Sequence, residues 1–166
     1  MQLRSWLVWV ALVGCDNRES KGPEDAAIDA VVDASVDAMI DATKVCDLET
    51  RDDDYVAGMS KTGANGYRVV LVDSTPAPRP KGNYTWNVQI LDPTTAPRDD
   101  VQITVGPFMP DHHHGTSVQA VVTSTGNGMY SISPINLFMT GYWTIRLGLR
   151  ENATEVDFVI YAFCVD

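Results

Sequence analysis

From residue 54 to the C-terminus, apolar and polar residues alternate in short runs broken by turn-forming clusters. Eight runs stand out, near residues 54–60, 66–73, 83–92, 99–106, 116–124, 128–133, 141–150 and 154–165. Between them lie Gly63-Ala-Asn-Gly66, Pro76-Ala-Pro-Arg-Pro80, Asp92-Pro93, Pro97, Gly126-Asn-Gly128 and Glu151-Asn152, the residue types that turns require. Trp86, Val88 and Ile90 fall on one face, with Thr85, Asn87 and Gln89 on the other. Val101, Ile103 and Val105 alternate with Gln102 and Thr104; Trp143, Ile145, Leu147 and Leu149 alternate with Thr144, Arg146 and Gly148. In the last run Val156, Phe158, Ile160, Ala162 and Cys164 share a face. A period of two over runs this short predicts half-buried antiparallel strands. Such strands bury their apolar faces by packing sheet on sheet, which predicts an all-β, immunoglobulin-like β-sandwich, with a small barrel as the alternative. No stretch of this region carries helical periodicity.

The N-terminal part reads differently. Arg4 precedes a short apolar stretch from Ser5 to Val13, followed by Leu12-Val13-Gly14-Cys15. The stretch is too short to span a bilayer and has the length of a secretory signal core. An aliphatic residue, a small residue and then Cys resembles a bacterial lipobox. Residues 1–14 are therefore expected to be a lipoprotein signal peptide, with Cys15 lipidated through its thiol; an ordinary signal peptide is the alternative. Acyl chains on that residue contribute ~0.8 kcal/mol per buried methylene, so two or three chains hold a protein firmly to a membrane.

Next comes a repeat of period four, in which Asp25, Asp29, Asp33, Asp37 and Asp41 are each followed by Ala. In a helix those carboxylates would stack at i,i+4 and repel, and a calcium loop would need converging oxygens around a Gly turn. Residues 15–45 are expected to be a solvated, self-repelling tether. Residues 46–166 then form the β-domain.

Charge supports this division. Of 22 acidic and 12 basic residues in the 166-residue chain, Asp16 to Asp54 holds 13 and 4, whereas Tyr55 to Asp166 holds 9 and 7. The acidity belongs to the leading segment, and the net charge of −10 disfavours nucleic acid as a partner.

Three cysteines are present. With Cys15 assigned to lipid, Cys46 and Cys164 remain, at the opening and close of the domain and in an oxidising compartment. A disulfide between them is expected. The alternative is a thiolate metal site, for which the spacing offers no CxxC-like motif.

One segment carries candidate chemistry, Phe108-Met109-Pro110-Asp111-His112-His113-His114-Gly115, which contains all three histidines. Imidazole and thioether are borderline and soft ligands that together favour copper, above all Cu(I). If the run is extended, His112 and His114 point to one side and His113 to the other. Met109 lies three residues before His112, and Met139 in Leu137-Phe-Met-Thr-Gly141 offers a second thioether; Met129 is a weaker candidate. The plainer reading is a solvated His loop with Met109 and Met139 as core filler. No nucleophile elbow, phosphate-cradling Gly loop or zinc-protease helix motif occurs, so no enzyme is expected. The sequons at Asn83 and Asn152 are matches by pattern only.

From Pro80 to about Leu149 a longer pattern runs through the chain: Pro80-Lys-Gly82-Asn83 ahead of Trp86, then Asp92 and Pro97, then a Met-Pro-x-His-x-His-Gly box at Met109, Pro110, His112, His114 and Gly115. It continues through Gly126-x-Gly128-x-Tyr130 and Phe138-Met139-x-Gly141-x-Trp143. On these residues the stretch resembles the YtkA-like domain family, which is similar to FixH-type and other small envelope proteins linked to copper handling. Two positions depart from the pattern: His113 stands where Gly is expected, and Thr140 where Pro is expected. The resemblance implies an immunoglobulin-like fold and suggests copper. The expected ligands are the imidazoles of His112 and His114 and the thioethers of Met109 and Met139, with His113 as an auxiliary ligand. The expected protein is a lipid-anchored extracytoplasmic domain of the bacterial envelope that sequesters copper or exchanges it with an envelope partner. A structural or interaction module without a metal site is the alternative.

Overall fold

The computed structural model describes residues Val45–Asp166. The expected signal peptide, the lipidation of Cys15 and nearly all of the expected tether therefore lie outside the described residues. After a single 3-10 turn at Val45–Asp47, nine strands follow. They are β1 (Met59–Thr62), β2 (Arg68–Thr75), β3 (Gly82–Leu91), β4 (Gln102–Met109), β5 (His114–Gly115), β6 (Val121–Gly126), β7 (Met129–Leu137), β8 (Gly141–Glu151) and β9 (Thr154–Val165). One sheet has the order β1-β2-β3-β7-β6 and the other β5-β4-β8-β9, and every pairing is antiparallel. The chain folds as the expected all-β sandwich.

The core follows the alternation. Tyr84, Trp86, Val88 and Ile90 of β3 meet Trp143, Ile145, Leu147 and Leu149 of β8, all buried. Trp86 stands edge-on to Tyr161 and Phe163, with ring centroids 5.6 and 5.8 Å away, a favoured arrangement for aromatic quadrupoles. The Tyr161 hydroxyl donates to Val69 O at 2.8 Å, joining β9 to β2 across the two sheets.

Three local expectations change. In the last run Val159, Tyr161, Phe163 and Val165 fill the core, while the face grouped in the sequence is split: Phe158 and Ile160 are exposed, and Ala162 and Cys164 are buried. Both faces of β9 are apolar, so alternation alone does not choose between them. The register does, setting Phe163 against Trp143, Tyr161 against Ile145 and Val159 against Leu147. The expected strand at 116–124 forms only in its second part, as β6 from Val121, because residues 116–120 pair with neither sheet; the two-residue β5 precedes it at His114–Gly115. The opening strand lies later than expected, at Met59–Thr62.

Residues 46–54 form a strap along the free edge of β9. Cys46 is disulfide-bonded to Cys164, so the thiolate-site alternative falls. The Asp53 amide donates to Ala162 O at 2.7 Å, and the Ala162 amide donates to Asp53 Oδ2 at 2.8 Å. The Cys164 amide donates to Asp52 Oδ2 at 3.4 Å. An edge strand whose amides are occupied in this way is blunted against pairing with another chain.

Candidate metal centre

The Met-His segment is a tight hairpin loop rather than an extended run. Pro110 and Asp111, both turn formers, open it, and the His112 amide donates to Met109 O at 3.3 Å. His113 takes a left-handed φ of 56° that reverses the chain. His114 then enters β5 directly opposite Met109, so the two side chains share one face of the sheet. At Gly115 a Cβ would come within 2.7 Å of Pro107 O, so the hairpin closes only on glycine.

This loop brings His112 and His114 together, with ring centroids 5.8 Å apart and planes at 85°. An ion about 2.0–2.1 Å from one nitrogen of each ring places the two centroids roughly 5–6.4 Å apart. The observed spacing lies within that range. His114 Nδ1 lies 3.0 Å from Gly115 O; a carbonyl only accepts, so Nδ1 is the donor, and in the neutral ring Nε2 is the nitrogen with the lone pair. A backbone acceptor of this kind fixes the tautomer of metal-binding imidazoles. His112 and His113 are exposed and His114 is half-buried.

Two aromatic rings wall His114 in. Phe138 stacks on it at 5.8 Å and Trp143 stands edge-on at 6.2 Å. Trp143 Nε1 donates to Met139 O at 2.9 Å, tying the loop that carries Met139 to the buried indole. Met139 itself is half-buried against the core, and the ring of this loop that meets His114 belongs to Phe138. Met109 is buried to 1% exposure, and its methyl would lie 3.0 Å from a Cβ at Gly141. Met109, His112 and His114 are thus neighbours, Met139 lies one residue from the wall of the site, and His113 occupies the outer corner of the turn. Among the described residues, no three His, Cys, Asp or Glu side chains are grouped to hold a metal ion. A metal held here would depend on two imidazoles and thioether sulfur.

On the other side of the loop, Asp111 is taken up by Arg51 of the strap. Both carboxylate oxygens accept from the guanidinium, at 2.9 and 2.7 Å. Arg51 Nε also donates to Glu49 at 2.8 Å, and its guanidinium carbon lies 4.2 Å from the centre of the Tyr142 ring. The hydrogen bond from Arg51 lowers the Asp111 pKa below the usual carboxylate value, and the Arg51 side chain with the backbone amides of Arg51 and Thr50 brings Glu49 down to about 2. Neither Arg51 nor the aromatic wall emerged from the sequence as part of a site. Phe138 and Trp143 were visible as motif positions; Arg51, 60 residues from Asp111, had no local signal.

A cavity of about 370 Å³ lies near the start of β4, lined by residues including Asp99, Asp100, Val122 and Tyr130. Three of its polar side chains are engaged locally: Asp99 accepts the Asn127 and Gly128 amides, Asp100 pairs with Arg98, and the Tyr130 hydroxyl bonds Arg98 O and the Val101 amide. The loop with the histidines lies at the other end of that strand.

No curated protein matches the chain, and no solved structure does. A family model described as YtkA-like matches residues 61–148, a span that contains the His loop, the aromatic wall and strands β2 to β7, and that exceeds half of the chain. The chain belongs to the YtkA-like family.

Proposed function

We propose that this protein is a lipid-anchored extracytoplasmic domain of the cell envelope that binds copper as cargo, for sequestration or for transfer to an envelope partner. The observation that carries this reading is the pair His112 and His114, 5.8 Å apart, with Met109 across the hairpin from His114. Imidazole with thioether suits Cu(I). His112 and His114 would hold the ion, Met109 and Met139 would supply sulfur, and His113 would serve as an auxiliary ligand. Few and soft ligands at a partly exposed loop suit exchange with a partner. The copper ion itself supplies no reaction; it is what is bound. No catalytic role is assigned to any residue.

A second reading is favoured by one observation: Met109 is packed into the core, as a structural side chain would be. The protein would then be an envelope interaction module with a shaped loop. Titration of the untagged full chain with Cu(I) against a chelator separates the two. The copper reading expects a one-to-one complex that is lost in His112→Ala/His114→Ala; a complex unaffected by that pair of changes, or no complex, favours the module.

A further inference from the structure

We infer that Arg51 sets which metals the His loop accepts, by holding the Asp111 carboxylate away from a donor set otherwise made of imidazole and thioether. The inference rests on the metal-binding reading above and deepens it. Asp111 precedes His112 on the same turn, so it is the oxygen ligand closest in sequence to the paired imidazoles. A carboxylate added to two imidazoles makes a set suited to Zn(II) and Cu(II), whereas imidazole with thioether suits Cu(I). In the structure both oxygens of Asp111 are committed to the two terminal nitrogens of Arg51. This planar, two-pronged contact is one that Arg can make and Lys cannot.

The guanidinium is braced, which is why so exposed a pair can hold a fixed orientation. Glu49 accepts from Nε and from one terminal nitrogen, at 2.8 and 2.6 Å. Tyr142 lies beneath the group at 4.2 Å. The strap that carries Arg51 is fixed on both sides, by the Cys46–Cys164 disulfide and by Asp53 on the edge of β9. With Asp111 turned toward this brace, the described residues hold no group of three His, Cys, Asp or Glu suited to a metal. For the inference to hold, Asp111, once freed from Arg51, must turn to the imidazoles as the third.

The test is Zn(II) titration of the full chain at neutral pH, comparing wild type, Arg51→Ala, Arg51→Lys and the double variant Arg51→Ala/Asp111→Asn, with circular dichroism as a check of folding. Arg51→Ala is expected to gain about ten- to a hundredfold in Zn(II) affinity, the range over which groups orienting a ligand act. Arg51→Lys should gain less, and the double variant should lose the gain. Equal Zn(II) affinity in wild type and both single variants, or a gain that survives Asp111→Asn, overturns the inference. Cu(I) titration of the wild type is read separately: its failure counts against the copper reading, while the Zn(II) comparison alone decides the role of Arg51.

Discussion

Met109 and His114 face each other across the base of the β4–β5 hairpin, one buried in the core and the other at its rim. That pairing places a thioether and an imidazole on one face of the sheet without help from any distant element. It also gives Met109 two roles that separate by substitution. Met109→Ala should cost ~2–5 kcal/mol, as truncation of a buried Met does. Met109→Leu keeps the volume and should cost under ~1.5 kcal/mol, while removing the sulfur. Denaturant unfolding with Cu(I) competition on both variants checks this. The expected outcome is a near-normal midpoint with weakened Cu(I) binding for Leu; unchanged binding would assign Met109 to the core alone.

Phe138 is 48% exposed yet stacks on His114 and stands edge-on to the buried Trp143 at 5.7 Å, so its ring joins the loop to the core. Phe138→Ala should cost about 1–3 kcal/mol, the worth of two aromatic contacts, and should loosen the His114 ring. The measurement is the imidazole side-chain NMR line shape together with the melting temperature. Sharp, unshifted His114 signals in the variant would mean that Trp143 positions the ring unaided.

The strands of the core were legible because β3 and β8 are apolar on one face and polar on the other. β9 was not, since Phe158 and Ile160 alternate with Val159 and Tyr161 and only pairing with β8 decides which set is buried. The His loop was legible as chemistry but not as shape. An extended run would bring His112 and His114 to one side; Pro110 and the left-handed His113 make a turn instead, which still brings His112 to His114. The Cys46–Cys164 disulfide was readable from counting. The grip of Arg51 on Asp111 was not, because a contact across 60 positions leaves no periodic or local mark.

The disulfide closes a loop with a sequence separation of 118. Chain entropy assigns a constraint of that length roughly 4–5 kcal/mol. Cys46→Ser/Cys164→Ser should lower unfolding free energy by about that amount and should free the strap from the edge of β9. Equilibrium unfolding with amide exchange at Ala162 checks both parts; an exchange rate at Ala162 equal to wild type would mean that Asp53 holds the strap unaided.

Glu49 is brought from its ordinary 4.5 to about 2 by Arg51 and backbone amides. Because the folded value is the lower one, the contribution of this carboxylate is complete above pH 4.5 and is lost as the pH falls toward 2. The Arg51 brace should therefore be unchanged through neutral pH and give way only in acid. A carboxyl-carbon NMR titration should place the Glu49 midpoint near 2, with a return toward 4.5 in Arg51→Ala. A wild-type midpoint at the ordinary value would show that the brace does not form.

The close approach of Gly63 to Asp157 gives a stability test away from the site. The Asp157 carboxylate accepts the Asn65 and Tyr67 amides at 3.0 and 3.2 Å, and a Cβ at Gly63 would fall inside it. Gly63→Ala should destabilise by ~1–3 kcal/mol, as overpacking does, with no change at the His loop; thermal melts and loop NMR shifts check the two statements.

The copper reading stands on imidazole nitrogen and thioether sulfur binding one ion. X-ray absorption at the copper edge, on the untagged full chain loaded with one equivalent of Cu(I), measures those neighbours directly. The expected spectrum contains imidazole nitrogen together with sulfur, and loses the imidazole signature in His112→Ala/His114→Ala. A first shell without sulfur, or one indifferent to the two histidines, would contradict it.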